Sequence, residues 1–136
     1  MKLKTTYSLF VLLISVFLIS CDDSYSPPSD PKEAILGRWK LIEYGTGFNN
    51  MSEVPSTECL EFYSNDSIGN YNSSTNQYVI SNMTYRIDSL LSFTFPLAEG
   101  RKTTLTYKYK FYDDKLDIEA HSFMAEIPCF RYKRIK

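Results

Sequence analysis

A strict alternation of apolar and polar residues in the second half of the chain constrains the fold more than any other feature. In the segment TLTYKYKF, threonines and lysines occupy one face, and the other face carries Leu105, Tyr107, Tyr109 and Phe111. A period of two is that of a β-strand, because successive side chains point to opposite faces of a sheet. The segment therefore predicts a strand with one buried face and one solvated face.

The same alternation recurs in short segments along most of the chain. KLDIEA, LSFTF, TYRI and CLEFY repeat it, with turn-forming residues between segments, as at Asp113-Asp114 and Asp88-Ser89. RWKLIEY and CFRYKRI predict the first and last strands, whereas the pattern is weak over residues 72–82. Before the first strand, Asp30 and Pro31 fit the N-cap and first position of a short helical turn.

About eight short strands without a long helix predict an antiparallel meander. Its aromatic content of 15%, with 11 Tyr and 9 Phe, suits the pleated surface of a sheet. Such a sheet must hide its edges, and closing into a barrel does so. We expect an all-β antiparallel barrel of about eight strands over residues 32–136. A two-sheet β-sandwich is the alternative, because it also buries one face of every strand.

The N-terminal segment has the layout of an export signal. Lys2 and Lys4 precede an uncharged run over residues 7–19, which is shorter than the ~20 residues that span a bilayer. The run ends in Leu18-Ile19-Ser20-Cys21, which resembles the lipobox of bacterial lipoproteins. An ordinary secretory signal with an incidental cysteine is the alternative.

In bacterial lipoproteins the signal is cut just before the lipobox cysteine. The cysteine thiol carries a diacylglycerol, and the new amino terminus receives a further fatty acyl chain such as palmitate. The resemblance therefore implies that residues 1–20 are removed and that Cys21 anchors the protein in the bacterial cell envelope, with the outer membrane favoured over the inner membrane. Several acyl chains hold a protein on a membrane stably, whereas one does not. Which face of the membrane carries the protein stays open.

Residues 21–31, which contain DDSYSPPSDP, are acidic and rich in Ser and Pro, and they predict a flexible tether. Loss of Lys2 and Lys4 with the signal changes 15 basic against 16 acidic residues into 13 against 16, a net charge of −3. This balance gives no electrostatic reason to expect nucleic-acid binding.

The start of the predicted barrel carries a second resemblance. Gly37-Arg38-Trp39 resembles the G-x-W element that opens lipocalins and lipocalin-like barrels. CLEFYSNDSI, YKFYDDKLDIEA and CFRYKRI look like the small lipocalin-like domains of lipid-anchored proteins in Gram-negative bacteria. The resemblance implies that Trp39 packs across the closed end of a barrel.

With Cys21 bound to lipid, Cys59 and Cys129 are the remaining cysteines. Because an exported protein meets an oxidising compartment, we expect them to form a disulfide. Both are predicted to face outward at the starts of the two strands that flank the first strand. Since that strand lies between them, at least one cysteine must lie beyond the rim for the bond to form. Two buried free thiols are the alternative.

The sequence offers little catalytic chemistry. His121 is the single histidine, and no spacing of His or Cys fits a zinc site. Neither a nucleophile elbow nor a phosphate-binding glycine loop is present. We therefore predict a protein that is not an enzyme and that needs no metal or cofactor.

Two functions fit this pattern. In the first, the barrel is a scaffold or interaction module in an envelope or surface complex, with Tyr63, Tyr112, Arg131, Lys133, Arg134 and Lys136 as candidate contacts. In the alternative, it binds a small apolar or amphipathic ligand through Phe62, Tyr85, Phe93, Phe95, Leu105, Tyr107 and Tyr109. An eight-stranded barrel has just enough interior for its own side chains, so a filled core is the simpler expectation.

Overall fold

The computed structural model describes residues 25–121 and 127–136, without the side chains of residues 79 and 80. The predicted signal peptide, Cys21 and the first part of the tether lie outside the described residues. The described chain forms one α-helical turn, one 3-10 turn (Ala98–Gly100) and nine strands. They are α1 (Pro31–Ala34), β1 (Gly37–Thr46), β2 (Met51–Glu53), β3 (Glu58–Phe62), β4 (Ser67–Asn72), β5 (Gln77–Ile87), β6 (Leu91–Pro96), β7 (Lys102–Tyr112), β8 (Lys115–Ala120) and β9 (Pro128–Ile135).

Eight of these strands form a closed antiparallel barrel. From β3 to β9 each strand pairs with the next in chain order, and β1 pairs with both β3 and β9. The short β2 pairs with the second half of β1 and stays outside the ring. The predicted all-β barrel is therefore confirmed. The sandwich alternative is wrong, because the ladder between β1 and β9 joins the first and last strands of the meander.

Two strands differ from the sequence expectation. β5 starts at Gln77 and so fills most of the stretch whose pattern was weak. Its first half pairs with β4 and its second half with β6, so no single neighbour imposes one alternation along its whole length. β2 was not predicted. It forms because β3 pairs only with the first half of β1 and leaves the second half of that edge free.

A close approach of the backbone brings β2 against β1. A Cβ built on Gly45 would lie 2.0 Å from the carbonyl oxygen of Asn50, so only glycine leaves room for the turn that joins the two strands. The backbone of Gly47, in the same turn, lies near the Cys129 thiol and lowers its pKa, although burial raises that pKa overall. The turn therefore packs over the outer face of β9.

The start of β1 lies at the barrel end that α1 covers. As predicted, Asp30 is the N-cap of α1, and its Oδ1 accepts a hydrogen bond from the backbone N–H of Lys32 at 2.9 Å. Ile35, which follows α1, is fully buried in the core. The core contains Ile35, Trp39, Phe62, Ile68, Tyr85, Ile87, Leu91, Phe93, Leu116 and Ile118.

Candidate functional site

Trp39 and Arg134 close one end of the barrel. The indole Nε1 of Trp39 donates to the carbonyl of Ile35 at 2.7 Å, and the ring is fully buried. The Arg134 guanidinium lies 4.7 Å from the Trp39 ring and donates to the carbonyls of Ala34 and Leu36 at 2.5 and 2.8 Å. These carbonyls follow or end α1 and lack partners within the helix. Arg134 therefore ties the last strand to the covering turn.

Gly37 makes this closure sterically feasible. Its φ of +104° is in a region that residues with a Cβ rarely adopt, and a Cβ there would lie 3.2 Å from Nη1 of Arg134. Gly37 and Trp39, the two residues behind the lipocalin resemblance, thus lie together at the closed end.

The other end of the barrel is open, and burial of inward-facing residues decreases toward it. On β1, Trp39 is fully buried whereas Tyr44 is 45% exposed. On β6, Leu91 is fully buried whereas Phe95 is half-buried. Leu105, near the start of β7, is 47% exposed, although its cross-strand partner is a core residue. The barrel is therefore solid in one half and accessible in the other, which we call the open half.

Tyr132 packs against the core but is only partly buried. It pairs with Leu41 on β1 and Leu116 on β8, and burial, assisted by the nearby Tyr107 phenol, raises its pKa strongly. Tyr132 nevertheless keeps water-accessible surface. Tyr107 is also partly buried against the core, and its ring packs on Phe130 at 6.4 Å between centroids. The two phenols therefore lie where the packed core gives way to the open half.

The inward-facing side chains of the open half combine apolar rings with two phenols. Within the described residues, neither Tyr107 nor Tyr132 donates its hydroxyl to a protein acceptor. Burial raises the pKa of both phenols, so both are neutral and can donate and accept a hydrogen bond. An apolar wall with a few polar groups is typical of ligand sites.

The seven candidate ligand-lining residues divide between the two halves. Phe62, Tyr85 and Phe93 are buried, and the Phe62 ring contacts the other two rings at 5.0 and 6.1 Å between centroids. These three side chains are part of the packed core and do not border an open interior. Tyr109 also lies toward the closed half, where its hydroxyl donates to the Asp88 carbonyl at 2.5 Å. The open half receives Phe95, Leu105 and Tyr107.

Sequence reasoning missed further residues of the open half. Phe130 and Tyr132 alternate correctly in CFRYKRI but carried no mark that separates them from ordinary core residues. Tyr44 packs on Phe130 with ring centroids 5.2 Å apart, after a bulge between Leu41 and Glu43 shifts the register of β1. That bulge, which single-sequence alternation does not reveal, decides which face Tyr44 joins.

Most of the large exposed apolar residues that the structure describes surround the open end. The β6–β7 connection contributes Leu97, and Ile127 precedes β9. With Tyr44 and Leu105 they form an apolar rim, which we define by these residues: Tyr44, Leu97, Leu105 and Ile127. Phe48, in the β1–β2 turn, lies instead on the outer face, where its ring is 5.9 Å from the Arg131 guanidinium. An apolar rim offers an apolar ligand a surface on which burial away from water is favourable.

The predicted Cys59–Cys129 disulfide is wrong for this structure, in which both cysteines are buried free thiols. Cys59 lies opposite Lys40 and Cys129 opposite Gly45, on the two sides of β1. They are separated by ~16 Å along β1 and by two strand spacings of ~4.8 Å, far beyond the ~7 Å between Cα atoms that a disulfide tolerates. Both face outward as expected, but neighbouring residues cover them.

Three of the candidate contact residues, Arg134, Arg131 and Tyr112, already make hydrogen bonds within the protein. Arg134 belongs to the closed end, as described above. Arg131 donates to both carboxylate oxygens of Asp117 at 2.8 and 2.9 Å and to Glu43 at 2.6 Å, and it joins β8, β9 and β1 on the outer face. The Tyr112 hydroxyl also donates to Asp117, at 3.1 Å. These groups stabilise the junction of β9 with β1 and β8, and their polar atoms are already paired within the protein.

An outer aromatic cluster lies on β1, β3, β4 and β5. The Arg38 guanidinium packs on the rings of Tyr71 and Tyr78 at 4.6 and 5.5 Å, and its Nε lies 3.3 Å from a carboxylate oxygen of Glu61. The Tyr63 hydroxyl donates to the same carboxylate at 3.0 Å. Tyr78 is 49% exposed and Tyr63 is also exposed, so the cluster presents aromatic surface to solvent.

Over the described ranges, no group of three or more His, Cys, Asp or Glu side chains is arranged to hold a metal ion. His121 is exposed just after β8. No helix within the described part of the chain is long and apolar enough to cross a bilayer. The sequence matches no protein-family model and no curated protein.

Proposed function

We propose that this chain is a lipid-anchored protein of the bacterial cell envelope whose barrel binds a small, largely apolar molecule through its open end. The protein acts as a binding module and performs no catalysis. The ligand carries a hydrogen-bonding group that meets the phenols of Tyr107 and Tyr132, and its apolar part lies among the rings of the open half.

One observation carries the choice of ligand binding over a solid scaffold. Tyr132 is deep in the barrel but retains water-accessible surface, and burial declines steadily toward the rim. A barrel that serves only as a scaffold gains stability by filling its interior, since each unfilled space loses packing energy. Half-buried inward-facing rings on several strands favour an interior shaped for an occupant.

The binding proposal can be tested with N-phenyl-1-naphthylamine, an apolar dye that fluoresces when it leaves water. The chain has a single tryptophan, Trp39, at the closed end. We expect saturable dye binding with energy transfer from Trp39. Leu105→Arg should weaken binding by at least about tenfold, because the dye must then share the open end with a charge.

Thr104→Arg is the matched control, since it adds the same charge one residue earlier on the exposed outer face of β7. Equal effects of the two substitutions, or binding without energy transfer, would place the dye outside the barrel and contradict the proposal. Mass spectrometry of an organic extract of purified protein then identifies a co-purifying ligand.

The anchor part of the proposal is supported by the lipobox-like sequence and the short charged start before it. Cys21→Ser should move the protein from the membrane fraction to the soluble fraction, because it removes the thiol that takes the lipid. If the substituted protein still sediments with membranes after a high-salt wash, the anchor is wrong. Separation of inner from outer membranes tests our preference for the outer membrane.

The scaffold function is the second candidate, and the outer aromatic cluster favours it. Tyr and Arg are enriched among the residues that dominate binding at protein interfaces. In native membranes, Tyr78→Ala should then release the protein from a larger complex in native electrophoresis, whereas Tyr44→Ala at the rim should not. A wild-type protein that migrates alone in freshly solubilised membranes argues against this candidate.

A further inference from the structure

We infer that the tether docks on the closed end of the barrel and thereby holds the barrel with its open end pointing away from the membrane. This inference rests on the proposed lipid anchor at Cys21. It adds the orientation of the barrel relative to the membrane. This orientation in turn indicates the compartment from which the ligand enters the barrel.

The docking contact is between Tyr25 and Arg134. The Arg134 guanidinium lies 4.9 Å from the centre of the Tyr25 ring and 4.7 Å from the centre of the Trp39 ring. Its position is fixed beforehand, because it donates two hydrogen bonds to the backbone around α1. Tyr25 therefore meets a cation that is already held in place, and a cation over an aromatic face is an attractive contact.

The contact shortens the free part of the tether. Four Cα steps separate Cys21 from Tyr25, so the docked tether reaches at most ~14 Å from the lipid. If the tether were free up to Pro31, ten steps would reach ~36 Å. Pro27 and Pro28, between Tyr25 and α1, also stiffen the segment.

These lengths decide which end of the barrel lies near the bilayer. The 11 residues of β7 span ~36 Å along the strand, which gives ~28 Å along the barrel axis at the usual strand tilt. A 14 Å tether that leaves from the closed end cannot bring the open end to the membrane. A free tether of 36 Å could do so. The Tyr25 contact is therefore what selects the orientation.

The charges at the closed end do not provide an additional attraction between the barrel and the lipid headgroups. A groove of about 800 Å³ lies there between α1 and the β3–β4 and β5–β6 turns. Its charged lining residues are mostly acidic, comprising Asp30, Lys32, Glu33, Asp66, Arg86 and Asp88. The end of β9 adds the basic residues Lys133, Arg134 and Lys136 at the same end. Charges of both signs therefore nearly balance there, so the orientation should depend on the tether and not on salt.

The orientation has a consequence for the ligand. The apolar rim faces the aqueous compartment, and a molecule enters the barrel from water rather than from the anchoring bilayer. The ligand class is thus a sparingly soluble molecule that is free in the aqueous compartment, and not a lipid extracted from the membrane beside the protein.

Fluorescence quenching in vesicles tests the orientation. The lipidated full-length protein is inserted into phosphatidylcholine vesicles that contain a lipid with a nitroxide on its headgroup. One fluorophore is placed at Ser89→Cys, in the exposed β5–β6 turn of the closed end, or at Lys102→Cys, exposed at the start of β7. The parent protein, labelled in parallel, reports any reaction of the buried Cys59 and Cys129.

We expect the quenching at Ser89→Cys to be at least about threefold stronger than the quenching at Lys102→Cys, because the docked tether keeps the closed end within ~14 Å of the lipid. Tyr25→Ala should abolish most of this difference, and Tyr25→Phe, which keeps the ring, should preserve it. A high-salt buffer should leave the difference unchanged.

The outcomes separate the orientation from the anchor. A mass spectrum without lipid on Cys21 overturns both. A lipidated protein with equal quenching at the two probes, or stronger quenching at Lys102→Cys, overturns the orientation and leaves the anchor standing. A difference that survives Tyr25→Ala shows that the Tyr25 contact does not hold the barrel, and the inference fails.

Discussion

The phenol of Tyr132 lies inside the barrel but keeps some surface that water can reach. Burial raises its pKa well above the ordinary value of about 10. Such a group makes stability depend on pH, because the folded chain holds a proton that the unfolded chain releases. The same residue thus reports both on the interior of the barrel and on its stability.

We expect the free energy of unfolding to fall as the pH rises above about 10, where Tyr132 loses its proton in the unfolded chain but keeps it in the folded chain. Tyr132→Phe should make this fall shallower without abolishing it, because burial also raises the pKa of Tyr107. Urea unfolding between about pH 8 and pH 11 measures the slope. An identical slope in wild-type and substituted protein would show that the phenol is not shielded.

The two buried thiols are a second property of single residues. Burial raises the pKa of both Cys59 and Cys129, and each side chain is covered by its neighbours. A thiol reacts through its thiolate and needs access to the reagent. We therefore expect Ellman's reagent to react with neither in the native protein and with both in urea without a reductant. A denatured protein that shows no free thiol until it is reduced would restore the disulfide.

At the scale of elements, Arg131 links the last strand to the first. It joins Asp117 on β8 to Glu43 on β1, and Asp117 is only 8% exposed although it faces outward. A closed barrel has one seam where chain neighbours do not meet, and here that seam lies between β1 and β9. The ion pairs of Arg131 cross this seam and hold the register between β1 and β9. Local sequence does not determine that register.

Arg131→Ala should lower the free energy of unfolding by about 2 kcal/mol, because it leaves the largely buried Asp117 carboxylate without its bidentate partner; partial exposure of the pair keeps the loss below that of a fully buried one. Lys133→Ala is the control, since its 3.5 Å ion pair with Asp114 is exposed and should contribute less than about 0.5 kcal/mol. Urea denaturation compares the two. A loss for Arg131→Ala no larger than that for the control would mean that backbone pairing alone holds the seam.

At the scale of the whole molecule, the packed core and the proposed binding site belong to opposite halves of the barrel. The closed half contains the fully buried residues and the covering turn α1, whereas inward-facing residues of the open half keep accessible surface. A packed half can supply the free energy of folding, which leaves the other half free to keep an interior space.

Substitutions along the interior should follow this division. Phe62→Ala, in the closed half, should destabilise by about 3–4 kcal/mol, because it opens a cavity among close-packed rings. Phe95→Ala, in the open half, should cost about 1 kcal/mol, since the ring is half exposed and water can enter the space. Thermal or urea unfolding measures both. Equal losses would show that the two halves are packed alike.

The sequence predicted the strands well because their signals are local. Alternation in TLTYKYKF, turn residues such as Asp113-Asp114 and the Asp30 cap act over a few residues, and each element formed where it was expected. The inward faces followed from the same alternation. The candidate ligand set is divided between the two halves, because every inward residue looks alike in a period-two pattern, whether it fills the closed half or borders the open half.

The sequence by itself thus determined most of the strands and their two faces, and it left a closed barrel and a two-sheet sandwich as the possible architectures. Only the tertiary structure decided the register between β1 and β9, and with it the distance between Cys59 and Cys129 and the partners of Arg131 and Arg134. It also decided which end of the barrel is open. The physical reason is that these properties depend on contacts between residues far apart in the chain, such as Glu43 with Arg131, 88 positions away. No local sequence pattern determines which of the many sterically similar strand registers gives the most stable closed barrel.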